Sequence, residues 1–181
     1  MKKRFVISWI QICWIVVSVM LFGAGVFAHR GHGLNLVELS EPLGVVMLAT
    51  GALNIVVCLA KSHVIHGARW LVADGVSAFL LSFFPLFNEM IMPFMIPLFF
   101  GMWELFSGLV KFMDSMELKE ERISCWAGFA FIGAIELISG TLSLIKPIDD
   151  MVGINEVIAI IFFVQSVGFA LKAAMYRHLI R

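Results

Sequence analysis

Long apolar stretches, each broken only by a few polar residues, dominate the pattern along this chain. Six runs stand out, at roughly 5–28, 43–60, 68–87, 91–113, 124–145 and 154–174. Each is close to the ~20 residues a helix needs to cross a ~30 Å hydrocarbon core. The runs are apolar on every side. A membrane β-barrel would instead show segments of about ten residues alternating polar and apolar. The pattern therefore predicts an all-α integral membrane protein, a six-transmembrane-helix bundle in one membrane domain over 1–181. In lipid each helix satisfies its own backbone.

The basic residues orient the spans. With both termini inside, eleven Lys and Arg, Lys111 and Lys172 among them, fall on the cytoplasmic side, against only Arg30 and Lys146 outside. Positive charge is retained in the cytoplasm, so the expectation is N-in and C-in. The opening MKKR and its apolar run also resemble a signal peptide, but a run of 24 residues exceeds the usual ~7–15. The run is read as the first span.

Composition agrees with this picture and narrows the function. Apolar residues make up 61% and charged residues 14%, with seventeen Phe and a net charge of zero. Disorder is excluded, and there is no basic field to hold nucleic acid. Cys13, Cys58 and Cys125 all fall in spans, so they read as reduced packing residues.

The spans repeat as three helical hairpins, approximately 5–60, 68–113 and 124–174. Gly44 and Gly51 in the second span recur as Gly101 and Gly108 in the fourth at an offset of 57, and Gly168 follows another 60 residues on. In the odd spans Gly75 and Ser82 correspond to Gly133 and Gly140 at an offset of 58, with Gly23 preceding Ser82 by 59. Small residues seven apart share one helical stripe, where backbones approach closely. Close helix packing is the expected role of these glycines.

These hairpins, their small-residue stripes and a Pro after an odd helix (Pro147 after Gly140) resemble the HdeD-type acid-resistance membrane proteins, a bacterial six-span family of unknown molecular activity. The resemblance covers most of 70–181, and Glu89 stands where the matching Pro after the third helix would be. It implies a bacterial inner-membrane protein of envelope or acid-stress tolerance. It brings no catalytic residue, metal or cofactor.

Carboxylates inside hydrocarbon cost roughly 2.5–3.5 kcal/mol each on insertion scales and mark functional sites by default. Three occur: Asp74, Glu104 and Glu136. Glu104 lies nine residues from the cytoplasmic end of its span and Glu136 twelve from the end of its own, about 14 and 18 Å deep at 1.5 Å per residue. Both sit in the motif GxxEL(F/I)SG, at 101–108 and 133–140, which places Glu on the face of its flanking glycines. They should point into helix contacts. Asp74 is shallower and is expected to snorkel toward Arg69.

Gln11 and Asn54 lie at the depth of Asp74, and Gln165 at that of Glu104 and Glu136, suggesting two polar layers. With each Lys and Arg placed at a span end or in a loop, no cationic partner is expected at mid-depth, and the buried acids should be neutral. Such a core is either proton-sensitive or a set of neutral carboxyls tying helices together by hydrogen bonds. The second is the favoured expectation.

On the external side, Glu38, Glu41, Glu89, Asp149, Asp150 and Glu156 form an acidic outer face with His29 and His32. External acid would move that face from negative toward positive. Ordinary solvated loops explain it as well. The HxxH pairs His29/His32 and His63/His66 lack an evident third ligand, so no metal is expected. Trp9, Trp70 and Trp126 fall near span ends as an interfacial belt, while Trp14 and Trp103 are deeper packing residues. The connection 114–123 reads as a solvated loop with helical charge pairs.

There is no phosphate loop, HExxH or nucleophile elbow, so a non-enzymatic protein is expected. Its partners would be the lipid bilayer and either a second copy or another membrane protein. Two alternatives stand beside stress tolerance. One is a small proton-coupled transporter or channel using Glu104 and Glu136, with Pro93 and Pro97 breaking the fourth helix. The other is a structural subunit of a membrane complex.

Overall fold

A computed structural model of the chain describes residues 8–31, 36–61, 65–87, 95–145 and 153–179. They form α1 (Trp9–Arg30), α2 (Leu36–Lys61), α3 (Ala68–Leu86), α4 (Ile96–Glu120), α5 (Trp126–Ile145), α6 (Ile154–Ala174) and the short α7 (Tyr176–Leu179). Among the described residues five helices, α1, α2, α3, α5 and α6, are long and apolar enough to cross a membrane. At 25 residues α4 is nearly as long as the longest of them, but Glu104, Lys111 and Asp114 interrupt its apolar run.

Two boundaries differ from the sequence pattern. α2 starts at Leu36 and carries Pro42 inside it, because one Pro early in a helix removes a single backbone hydrogen bond and need not end it. α4 starts at Ile96 with Pro97 in its first turn, so Pro97 opens this helix and does not break it. α4 also continues through most of 114–123. At 1.5 Å per residue it is about 37 Å long, more than the ~30 Å thickness of a hydrocarbon core.

Burial is inverted relative to a water-soluble protein. Leu59, Phe131, Val19 and Ile138 are at least 61% exposed, whereas Asp74, Glu104, Lys111, Glu136, Gln165 and Lys172 are all 5% or less. In water so much outward apolar surface would drive association. A bilayer solvates it, and these helices support a helical membrane protein.

The closest helix pairs are α1 with α6, α2 with α3, and α4 with α5. Two of these pairs join helices consecutive in the chain, and the third brings α6 back to α1. Glycines set two of these contacts. A Cβ on Gly51 would stand 2.7 Å from the Gly75 carbonyl oxygen, and one on Gly108 would stand 2.9 Å from that of Gly133. A Cβ on Gly140 would stand 2.9 Å from the Gly101 carbonyl oxygen. The GxxEL(F/I)SG motifs of α4 and α5 thus lie antiparallel on each other, Gly101 beside Gly140 and Gly108 beside Gly133.

Gly44 meets the Pro85 and Leu86 side chains. Gly23 does not belong to the stripe, since nothing lies within 4 Å of a Cβ placed there. The α1–α6 pair instead closes on Gly25 against the Phe163 ring and on a reciprocal pair, Ser18 Oγ to Ser166 O at 2.9 Å and Ser166 Oγ to Ser18 O at 2.8 Å.

Candidate functional site

The polar stripe of α4 builds the site. Glu104, Ser107, Lys111 and Ser115 follow at three- and four-residue intervals, all buried, so one helical face carries them into the bundle. α3 brings Asp74 to this face, α5 brings Glu136 and Ser139, and α6 brings Gln165 and Lys172.

Lys111 is the hub. Its Nζ donates to Glu136 Oε1 at 2.5 Å and Oε2 at 2.7 Å, to Ser107 Oγ at 2.7 Å and to Gln165 Oε1 at 3.1 Å. The Ser107 hydroxyl has one proton to give, and its shortest acceptor is Asp74 Oδ1 at 2.7 Å. Asp74 Oδ2 accepts from Lys172 Nζ at 3.1 Å and from Asn54 Nδ2 at 3.2 Å. With its oxygen toward the Lys111 cation, Gln165 presents its amide nitrogen to Glu104 Oε2 at 2.8 Å. Ser139 Oγ donates to Glu104 Oε1 at 2.9 Å. One continuous hydrogen-bonded path therefore runs from Lys172 through Asp74, Ser107, Lys111 and Gln165 to Glu104.

Gly168 makes this possible on α6. A Cβ there would lie 3.1 Å from both Glu136 Oε1 and Lys111 Cε, so the glycine leaves room for the ion pair.

Several expectations are corrected here. Cations do reach the buried acids: Lys111 and Lys172 are 2% and 5% exposed and pair with Glu136 and Asp74. Asp74 does not snorkel toward Arg69; it is 2% exposed, and Arg69 pairs with Glu117 at 3.0 Å. The neutral-acid expectation fails in its premise for Asp74 and Glu136, which have cations, while Glu104 has none at ion-pair distance among the described residues. The two polar layers are one network joined by Ser107. Gln11 is outside it and donates to the Ala173 carbonyl at 3.0 Å.

Lys111 and Ser107 have a sequence signal after all, since they lie on the helical stripe of Glu104. Ser139 stands to Glu136 as Ser107 does to Glu104, inside the shared GxxEL(F/I)SG motif, and Lys172 lies seven residues after Gln165 and four after Gly168 on one stripe of its helix. The charge count changes as well. Taking Lys111 and Lys172 out of the sequence count leaves nine basic residues expected inside against two expected outside. The three buried acids and two buried cations leave the core one negative charge from neutral.

The remaining candidates scatter. His29 Nδ1 pairs with Glu156 at 2.8 Å, tying the end of α1 to the start of α6, and His66 pairs with Glu121. His32, His63, Glu89, Asp149 and Asp150 lie outside the described residues. Among the described residues no group of three or more His, Cys, Asp or Glu could hold a metal. Trp70 donates to Glu117 at 2.7 Å, and Lys119 lies over the Trp126 ring at 4.9 Å. Trp14 and Trp103 are buried packing residues, 2% and 1% exposed.

No protein-family profile, curated protein or solved structure matches this chain.

Proposed function

We propose that this is a non-enzymatic, multi-pass protein of a bacterial inner membrane whose core holds one exchangeable proton at Glu104, acting in envelope or acid-stress tolerance. The observation that carries the proton reading is the charge imbalance of the buried network. Three acids and two cations at 5% exposure or less cost least when one proton neutralises them. Glu104, the acid without a cation, is where that proton belongs. Ionisable groups linked by hydrogen bonds inside a membrane are the material of proton relays.

The finer assignments rest on the sequence. Six spans in three hairpins follow from the apolar runs, and N-in, C-in follows from the nine-to-two distribution of the remaining basic residues along the sequence. The stress role follows from the HdeD-like pattern of glycines and the acidic outer face. Partners are the bilayer and either a second copy or a membrane-protein neighbour.

A second reading has support of its own. Asp74 and Glu136 are saturated by their cations, as in a network that only ties α3, α4, α5 and α6 together. Proton flux into vesicles separates the two. Reconstituted wild type should pass protons above empty liposomes, and Glu104→Gln, which keeps the amide and hydroxyl partners, should lower the flux about tenfold or more. Equal flux in wild type and variant, or none above empty vesicles, selects the structural reading.

A further inference from the structure

Three buried polar side-chain atoms among the described residues meet no hydrogen-bond partner: Trp14 Nε1, Asn54 Oδ1 and Asp114 Oδ1. The residues that carry two of them, Trp14 with its donor and Asp114 with its acceptor, line the same small cavity, together with Lys172, His66, Ile65 and Phe129. The space open there to the centre of a water molecule is about 10 Å3, room for about one water.

The chemistry of the wall suits that occupant. Trp14 is 2% exposed, and its indole can only donate. The buried Asp114 oxygen can accept. Lys172 has three N–H donors; one goes to Asp74, and its ammonium also lies over the Phe169 ring at 4.6 Å. A water accepts from Trp14 and from Lys172 and donates to Asp114, which satisfies the orphaned pair at once. The other charged groups acting on Asp114 are Asp74, Glu117 and Glu121.

The cavity also has a defined place on the path. On one side Lys172 leads through Asp74 and Ser107 to Lys111. On the other, His66 is paired with Glu121 at the end of the bundle, and Gly67, with φ +70°, packs directly on the Asp114 carboxylate.

We propose that this cavity binds one water molecule between Trp14, Asp114 and Lys172, and that this water is the doorway through which the buried network exchanges protons with bulk solvent. The doorway role rests on the reading of Glu104 as the exchangeable proton site; the water site does not.

Infrared spectroscopy of the full chain in lipid tests both. The C=O stretch of a protonated carboxyl is followed as H2O buffer is replaced by D2O, and its loss in Glu104→Gln assigns it. Asp114→Leu, which removes the acceptor and fills the space, should slow deuterium exchange of this band by about tenfold or more, and so should the milder Trp14→Phe. If the band belongs to Glu104 but exchanges at the wild-type rate in both variants, the doorway is wrong while the reading of Glu104 stands. If no band is lost in Glu104→Gln, the reading of Glu104 fails and the doorway with it.

The water itself is judged separately by magnetisation transfer from water to the 15N-labelled Trp14 indole, assigned through its loss in Trp14→Phe. Transfer supports the site whatever the flux result. Its absence overturns the site. Should Asp114→Leu fail to accumulate, Trp14→Phe carries the exchange measurement alone.

Discussion

The Lys111–Glu136 pair offers the sharpest energetic prediction. Lys111→Met keeps the volume and helix propensity of the side chain but removes Nζ, and with it both short contacts to Glu136 and the bonds to Ser107 and Gln165. Glu136 is 0% exposed, so neither water nor salt replaces the lost cation. Breaking a buried pair from one side costs about 3–5 kcal/mol, because a charge is left uncompensated.

Glu136→Gln leaves Lys111 with three oxygen acceptors and should cost less, about 1–3 kcal/mol. Once either partner is gone, losing the other removes a liability. The double variant should therefore lie well below the sum of the singles, with a coupling energy of about 3 kcal/mol. Interhelical hydrogen bonds in membrane proteins average only about 0.6 kcal/mol in such cycles, so the measurement distinguishes an ion pair from an ordinary polar contact. The assay is reversible unfolding of the four proteins in mixed micelles at one detergent fraction. Additivity within about 0.5 kcal/mol, or a cost below about 1 kcal/mol for Lys111→Met, would refute the reasoning.

The same unfolding assay checks the glycines. Gly108→Ala places a methyl 2.7 Å from the Leu137 backbone nitrogen and should cost about 1–3 kcal/mol by forcing α4 and α5 apart. Gly23→Ala meets nothing within 4 Å and should leave stability unchanged or raise it by up to about 1 kcal/mol through helix propensity. The outer face is tested in cells: neutralising Glu38, Glu41, Glu89, Asp149, Asp150 and Glu156 together should lower survival in acid, and unchanged survival would remove the sensing role from these groups.

The cations show where sequence reasoning stops. Lys111 lies near the end of its apolar run, where a long basic side chain ordinarily reaches for the membrane surface. Whether it turns outward or inward depends on what lies inward, and Glu136 and Gln165 stand 25 and 54 residues away in the chain. Lys172 likewise faces Asp74 across 98 residues. Asp114 shows the same limit, because a position read as a solvated connection lies in a helix that continues past the predicted run and turns this carboxylate inward.

What the sequence determined by itself is what a single helix decides. Apolar length marked out the long helices, and a seven-residue spacing of small residues set the faces on which α2 and α3, and α4 and α5, come together. The shared GxxEL(F/I)SG motif placed Glu104 and Glu136 on those faces. Only the tertiary structure decided which helices neighbour one another, and with that which charges meet. A lone carboxylate and a lone ammonium are each costly in a low-dielectric core, but brought together they become the cheapest arrangement of both. That balance is a property of pairs of helices, and no local pattern along the chain contains it.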